Sequence, residues 1–188
     1  MKKNKYISEA KNVINLEITA LQKLKKNINN SFNKAVIQIA KCNSKVILCG
    51  VGKSGIIASK IAATLSSVGT PSFSLAAGEA SHGDLGMISK KDILILISNS
   101  GKTAELKNII QYANRNKILL IGIVSKKESI LYKASDIKLL IPEVSEAGGI
   151  VPTASTTAQL ALGDAWAIAA MKYKKFDKLD FKKLHPAG

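Results

Sequence analysis

The chain has 188 residues and a formal net charge of +15, with 46% hydrophobic and 22% charged residues. This length and balance favour one globular domain with its own core and argue against a disordered or fibrous chain. No apolar run is long enough to span a membrane, and the lysine-rich start lacks the apolar stretch of a signal peptide. We therefore expect a cytoplasmic protein without a membrane partner.

The strong positive charge raises the question of a nucleic-acid partner. Arg115 is the only arginine among the 28 basic residues, and aromatic residues make up 5% of the chain. Base-edge recognition relies on arginine, and single-strand binding relies on aromatic platforms. The lysines are also spread along the whole sequence. We therefore expect no nucleic-acid partner, although a general positive field would attract small anionic ligands.

Residues 5–41 have the apolar spacing of helices, interrupted at residues 27–31. We predict two helices or one bent helix, forming an N-terminal helical arm over residues 1–40 that serves packing or oligomer contacts. The two cysteines, Cys42 and Cys49, fit neither a disulfide framework nor metal-ligand spacing. They are predicted to be reduced residues in or near the core.

A predicted strand over residues 45–49 leads into Gly50-Val51-Gly52-Lys53-Ser54-Gly55 and then a helix. The turn matches the dinucleotide fingerprint, but the next strand, residues 71–75, ends without the acidic residue that such a site needs. A Walker A loop fits no better, because Ile47 occupies a position that must be glycine, so both nucleotide interpretations are weak. The interpretation that remains is a close backbone approach to an anion, with Lys53 and Ser54 at the helix start.

The stretch after that second strand contains Glu79, His82 and Asp84, where open α/β sheets bind ligands. A solvated connecting turn is the alternative interpretation. Two carboxylates and one histidine are too few to indicate a metal site. We expect neither a metal nor a cofactor.

The next strand, residues 92–97, runs into Ser98-Asn99-Ser100-Gly101-Lys102-Thr103-Ala104-Glu105, and an amphipathic helix follows. Hydroxyls, a glycine and free backbone N–H groups at a helix N-terminus suit a phosphate. The alternative is that the serines and threonine only cap the helix. We predict Glu105 about one turn into the helix, close enough to act on whatever carries the phosphate.

Two further strands, residues 118–124 and 137–141, complete the predicted parallel sheet. Glu146 follows the last strand and precedes a flexible Gly148-Gly149 turn, after which an alanine-rich helix extends to about Tyr173. The fold class is therefore α/β: a three-layer α/β/α sandwich with a five-stranded parallel sheet, in which residues 41–188 form one domain.

Five motifs occur in the order seen in sugar isomerase (SIS) domains, which are flavodoxin-like. They are Gly50-Val51-Gly52-Lys53-Ser54-Gly55, residues 79–87, Ser98-Asn99-Ser100-Gly101, residues 152–157 and His185-Pro186. Over about residues 40–188 the chain resembles most closely the arabinose-5-phosphate isomerase family within these domains. The resemblance implies interconversion of D-ribulose 5-phosphate and D-arabinose 5-phosphate for Kdo and lipopolysaccharide biosynthesis. It also implies a homodimer or homotetramer with active sites built partly across subunits.

Matching positions imply roles for individual residues. The implied catalytic residues are Lys53, Glu105, Glu146, His185 and His82; the implied substrate-binding residues are Gly52, Ser54, Ser98, Asn99, Ser100, Thr103, Ser155 and Thr156. The chain departs from the family at Ala147-Gly148-Gly149, where Cys-Pro is common, and at Ala187, where glycine is usual. Many members also continue into a pair of CBS-type regulatory domains, which this sequence does not include.

The chemistry available in the residues agrees with this resemblance. Aldose–ketose isomerisation moves one proton between adjacent carbons, and it needs a base and a cation near the developing oxyanion but no redox cofactor. Glu105 and Glu146 are the candidate bases, and Lys53 is the candidate stabiliser. His185 could shuttle protons between oxygens or open the sugar ring. The alternatives are a non-catalytic phosphosugar-binding regulatory domain and an isomerase of another phosphosugar, such as a heptose or hexulose phosphate.

Overall fold

The computed structural model of the protein describes residues 5–186. Its helices are α1 (Lys5–Asn27), α2 (Asn30–Lys41), α3 (Lys53–Ser67), α4 (Ala77–Ala80), α5 (Leu106–Asn116), α6 (Ile130–Ala134), α7 (Ala154–Tyr173) and α8 (Lys178–Leu184), with a 3-10 helix at Asp84–Met87. Its strands are β1 (Val46–Gly50), β2 (Ser72–Ala76), β3 (Ile93–Ile97), β4 (Leu119–Val124) and β5 (Ile137–Leu140). Helices and strands thus alternate from β1 onward, as a parallel sheet requires.

The five strands are all parallel and lie in the order β2-β1-β3-β4-β5. This confirms the predicted sheet. Gly50 at the end of β1 is in register with Ala76 of β2 and Ile97 of β3. The loops that follow these three strands therefore start side by side, at the point where the strand order reverses. Open α/β sheets bind ligands outside the carboxyl ends of their strands at such a switch point.

Both faces of the sheet are covered, which confirms the three-layer sandwich. Val46 and Leu48 pack on the side of α1, α2, α3 and α7, whereas Ile47 and Cys49 pack on the side of α4, α5 and α6. Burial on both faces explains why the strands are continuous apolar runs rather than alternating ones. Both cysteines are free thiols, Cys49 buried and Cys42 half-buried, as predicted.

Local capping explains how the helical segments are divided. The Asn29 side chain accepts a hydrogen bond from the Ser31 N–H (2.8 Å), so α2 begins anew after α1. Of the two predicted alternatives, two helices and one bent helix, the structure has two helices. Helix α8, which the sequence analysis did not predict, begins with a capping box between Asp177 and Asp180. Within residues 5–186, no helix combines the length and the hydropathy needed to cross a membrane. The domain boundary after residue 40 stays a prediction.

Helices α3 and α7 pack closely and run parallel to each other. Lys60 pairs with Asp164, and further along both helices the Lys174 ammonium donates to the Gly69 carbonyl (2.9 Å). Next to the Lys60–Asp164 pair, Gly163 faces Ile61 so closely that a Cβ on the glycine would lie 2.3 Å from an Ile61 carbon. Because α3 starts at the carboxyl edge of the sheet, the parallel packing brings the start of α7 to the same edge.

We expect Gly163→Ala to lower the free energy of unfolding by about 1–2 kcal/mol. Alanine normally stabilises a helix relative to glycine by about 1 kcal/mol, so a net loss would report the overpacking against Ile61. Urea denaturation measures the change. Ile61→Val in the Gly163→Ala background is the control and should restore part of the loss. A stabilised single variant would contradict the close packing.

Candidate active site

Three helices, α3, α5 and α7, begin at the carboxyl edge of the sheet. The N–H groups of each first turn have no acceptor within the regular helix and carry a partial positive charge. The residue before α3, Gly52, provides no side-chain cap, so the N–H groups near Lys53 are open to a ligand. Ser54 lies in the same turn, and Ser155 and Thr156 lie in the first turn of the neighbouring α7. The edge is therefore suited to an anion.

The serine loop after β3 is tightly organised by its own hydrogen bonds. The Ser98 and Thr103 hydroxyls are 2.7 Å apart, and the Gly101 N–H donates to Ser98 Oγ (3.0 Å). Ser125, which directly follows β4, also stabilises the loop, since its hydroxyl donates to the Asn99 carbonyl (2.7 Å). The Ser98 side chain is thus used to shape the loop and is buried. Within this loop, the exposed Asn99 and Ser100 and the half-buried Thr103 are better placed to contact a phosphate directly.

Gly101 is the residue on which the shape of this loop depends. Its φ of 64° lies in the left-handed region, and a Cβ there would lie 2.2 Å from Ser129 Oγ and 2.9 Å from a Val124 methyl carbon. Its carbonyl also accepts a hydrogen bond from the Leu131 N–H (3.1 Å). Backbone conformation and crowding from α6 together require glycine at this position.

The glycine turn after β1 opens into a cavity of about 500 Å³. The cavity is lined by Gly50, Val51, Gly52, Gly55, Ile56, Ser59, Ser74, Leu75, Ala76, Ala77, Gly78 and Glu105. Gly50 and Gly55 let β1 and α3 touch, because a Cβ on Gly55 would lie 2.8 Å from the Gly50 carbonyl oxygen. Two of these lining residues, Ser59 and Ser74, were not predicted, and their hydroxyls are hydrogen bonded (2.9 Å). No sequence pattern marked these two serines, because they meet only when β2 pairs with β1.

Glu105 lies immediately before α5 rather than about one turn into it, so the predicted position was wrong. The residue occupies the N-cap position with helical backbone angles, and the regular helix starts at Leu106. Residues 104 and 105 form a turn, and the regular helix begins only where the apolar periodicity begins, at Leu106. This earlier position leaves the Glu105 carboxylate exposed at the cavity.

Glu146 is held by the N-terminus of α7. Its Oε2 accepts hydrogen bonds from the N–H groups of Thr153 (2.8 Å) and Ser155 (3.2 Å), and Thr153 Oγ1 lies 3.4 Å away. Partial burial would raise the pKa of this carboxyl, but the hydrogen bonds from Ser155 and Thr153 outweigh it and lower the pKa from its ordinary 4.5. Glu146 is therefore a helix-capping carboxylate and a weakened base.

We expect the stability contribution of Glu146 to depend on pH. Since its pKa is lower in the folded state, its stabilising effect is present above about pH 4.5 and is lost as the pH falls through the folded-state value. Glu146→Gln should thus cost about 0.3–1 kcal/mol at neutral pH and less in acid. Urea denaturation at neutral pH and at acid pH measures this change. Glu128→Gln, at an exposed glutamate, is the control; an equal cost for Glu146→Gln at both pH values would contradict the capping role.

Neither histidine is among the residues that line the cavity. His82 is exposed in the turn after α4, and His185 follows α8. Because α7 runs to the opposite edge of the sheet, where Lys174 donates to the Gly69 carbonyl, α8 starts far from Glu105. The fold therefore brings together the loops that carry Lys53, the serine loop and Glu105, but it does not bring His185 to them. Cys49 also takes no part, since burial raises the pKa of its thiol to about 12.

Comparison with known proteins agrees with this geometry. The SIS domain family model matches residues 38–169, and the chain belongs to the SIS domain family. The chain is 48% identical over 180 residues to the arabinose 5-phosphate isomerase KdsD of Yersinia pestis, covering 95% of this chain and 55% of that protein. It is 44% identical to KdsD of Francisella tularensis, covering 97% of this chain and 58% of that protein. The chain thus spans a little over half the length of these curated relatives.

A solved structure from Escherichia coli CFT073, in complex with arabinose 5-phosphate, has a TM-score of 0.94 to this protein at 40% sequence identity. The match covers 99% of this chain and 100% of that one. The fold class and the similarity to arabinose-5-phosphate isomerases expected from the sequence are confirmed.

Proposed function

We propose that the protein is a phosphosugar isomerase that interconverts D-ribulose 5-phosphate and D-arabinose 5-phosphate. The observation that supports this most directly is that Glu105, at the end of the serine loop, lines the cavity at the glycine turn before Lys53. An anion site, a carboxylate and an ammonium group at one edge of the sheet are what an enediolate mechanism needs. The names of the relatives and the arabinose 5-phosphate complex of the E. coli structure favour this substrate pair. A role in Kdo and lipopolysaccharide biosynthesis belongs to the same proposal.

In this mechanism the serine loop and the first turn of α3 bind the phosphate. Glu105 takes a proton from C1 of the ketose and returns it to C2, while the hydroxyl proton moves from O1 to O2. The electron pair of the broken C–H bond forms the enediolate, whose developing negative charge the Lys53 ammonium stabilises. His185 carries the proton between the two oxygens. C1 is oxidised and C2 is reduced within the same molecule, so the step needs no external oxidant or reductant and releases no leaving group.

Glu105 is a better candidate for the base than Glu146. Glu146 is committed to the N-terminus of α7, where hydrogen bonds lower its pKa and hence its basicity. Glu105 is exposed at the cavity, and none of the hydrogen bonds found within residues 5–186 uses its carboxylate. In this proposal Glu146 fixes the start of α7, and with it Ser155 and Thr156, next to the bound sugar.

We also propose that the active site is completed by a second copy of the chain. His185 does not lie with Glu105 in one chain, so it would reach the cavity of a neighbouring subunit. Exposed apolar side chains on two helices provide surface for such an assembly. They are Ile7, Ile14 and Ile18 on α1, and Leu179, Phe181 and Leu184 on α8. A homodimer or homotetramer follows from this proposal, and sedimentation of the purified chain would test it.

A coupled assay tests the activity. D-ribulose 5-phosphate is supplied with a chelator present, and formation of D-arabinose 5-phosphate is followed. Turnover would support the isomerase and exclude a required metal. If turnover is absent while phosphosugars still raise the melting temperature, the protein is a phosphosugar-binding regulatory domain. Turnover of a heptose or hexulose phosphate alone would change the substrate but keep the reaction class.

A further inference from the structure

At the end of helix α8, the side chains of Phe181 and His185 are in contact. The imidazole of His185 stacks on the phenyl ring of Phe181, with centroids 3.7 Å apart and planes inclined by 12°. His185 Nδ1 lies 2.8 Å from the Phe181 carbonyl oxygen. The histidine is thus held at two points by a single residue one helical turn earlier.

This contact determines which ring nitrogen carries the proton. A carbonyl oxygen can only accept a hydrogen bond, so Nδ1 must donate and must carry the hydrogen. In the neutral imidazole, Nε2 is then unprotonated and keeps its lone pair. Nε2 also lies on the side of the ring away from the carbonyl. The nitrogen that faces outward is therefore the one able to accept a proton.

Because α8 is not packed into the core, the orientation of the His185 ring depends on its contact with Phe181. The capping box of Asp177 and Asp180 starts the helix, but α8 buries none of its own residues. An isolated helix of this length is unstable, and an exposed histidine at its end would sample many rotamers. The Phe181 ring, itself 42% exposed, is the group that restricts the imidazole plane. Within residues 5–186, core packing does not restrict the imidazole plane of His185, since α8 has no buried residues.

We propose that Phe181 is the positioning residue for His185, holding it as the Nδ1–H tautomer with Nε2 free to exchange a proton with substrate oxygens. The inference rests on the proposed isomerase activity. In the step concerned, Nε2 takes the proton from O1 and returns it to O2, so the imidazole ends in its starting state. Phe181 touches neither oxygen and acts only through the histidine.

The first test measures the tautomer directly, by nitrogen NMR of the full chain with labelled histidine. Only two histidines are present, so His185→Gln identifies the signals of His185. At about two pH units above the ordinary imidazole pKa, the wild-type ring should show a protonated Nδ1 and an unprotonated Nε2. Phe181→Leu keeps the backbone carbonyl but removes the stacked ring. In this variant the population of the Nδ1–H tautomer of His185 should fall by roughly half or more. A protonated Nε2 in the wild type, or unchanged signals in Phe181→Leu, would overturn the proposal.

The second test separates positioning from assembly. Phe181→Leu should lower kcat roughly tenfold, less than the loss of a general acid–base group, and leave KM within about twofold. Phe181→Tyr keeps the stacked ring and should restore both kcat and the tautomer. Leu184→Ala, an exposed apolar residue of the same helix, is the control for lost surface contacts and should leave the tautomer unchanged. A loss of the Nδ1–H signal in Leu184→Ala equal to that in Phe181→Leu would overturn the assignment.

The two proposals can fail separately. If no substrate turns over, the isomerase proposal fails, while the NMR measurement still decides whether Phe181 sets the tautomer of His185. If turnover is normal and Phe181→Leu changes neither signal nor kcat, the isomerase stands and the positioning role is wrong.

Discussion

Glu105→Gln should lower kcat for D-ribulose 5-phosphate by about 10²–10⁴-fold, the usual range for a lost general base, with little change in KM. The substitution keeps the size of the side chain at the cavity and removes its ability to take a proton. Because Glu105 is exposed and precedes the regular helix, the stability of the fold should hardly change. Initial rates over a range of substrate concentrations measure kcat and KM.

Glu146→Gln is the matched control, since it makes the same chemical change on the other candidate base. It should lower kcat less than Glu105→Gln, because its effect on the sugar is exerted through the start of α7. If Glu146→Gln lowered kcat more than Glu105→Gln did, Glu146 would be the base despite its lowered pKa. If both variants kept near-normal turnover, neither glutamate could be the base.

Gly101→Ala should abolish the stabilisation of the protein by phosphosugars and also destabilise the fold. A non-glycine residue at a φ of 64° costs about 1–2 kcal/mol. The new Cβ would in addition press on Ser129 and Val124, which adds about 1–3 kcal/mol of overpacking. Any relief of that contact must move the loop whose hydroxyls are proposed to bind the phosphate. Denaturation and the thermal shift caused by phosphosugars measure the two effects.

Gly148→Ala separates backbone strain from crowding. Gly148 has almost the same φ, 63°, but nothing lies within 4 Å of the position that a Cβ would take there, so only the strain of about 1–2 kcal/mol should appear. The thermal shift with phosphosugars should be retained in this variant. If Gly101→Ala cost no more than Gly148→Ala and still responded to phosphosugars, the loop would not depend on close packing at Gly101.

The local features of the fold could be predicted from the sequence. Apolar runs such as residues 93–97 specified buried strands, because a sheet covered on both faces needs apolar side chains on both. The glycine and serine turns marked the positions of two candidate ligand loops, because glycine suits tight turns and N–H groups at a helix start suit an anion. The capping box that starts α8 was also present in the sequence, although its significance was missed.

Long-range geometry could not be predicted in the same way. The sequence presented Glu105 and Glu146 as equivalent candidates, and only the folded chain shows Glu146 accepting hydrogen bonds at the start of α7. The buried position of Ser98 and the pairing of Ser59 with Ser74 likewise depend on how strands and loops meet. The sequence pattern indicates local backbone preference and burial. Tertiary packing, in contrast, determines which residues far apart in the chain become hydrogen-bond partners.

The sequence by itself thus determined the α/β class, the parallel sheet and the positions of the two candidate ligand loops, because these depend on apolar periodicity and on turn chemistry over a few residues. Tertiary structure alone decided which carboxylate is free at the cavity and which serine is buried beneath the loop. These outcomes depend on helix ends and strand register, since both set the distance between groups that the sequence leaves unspecified.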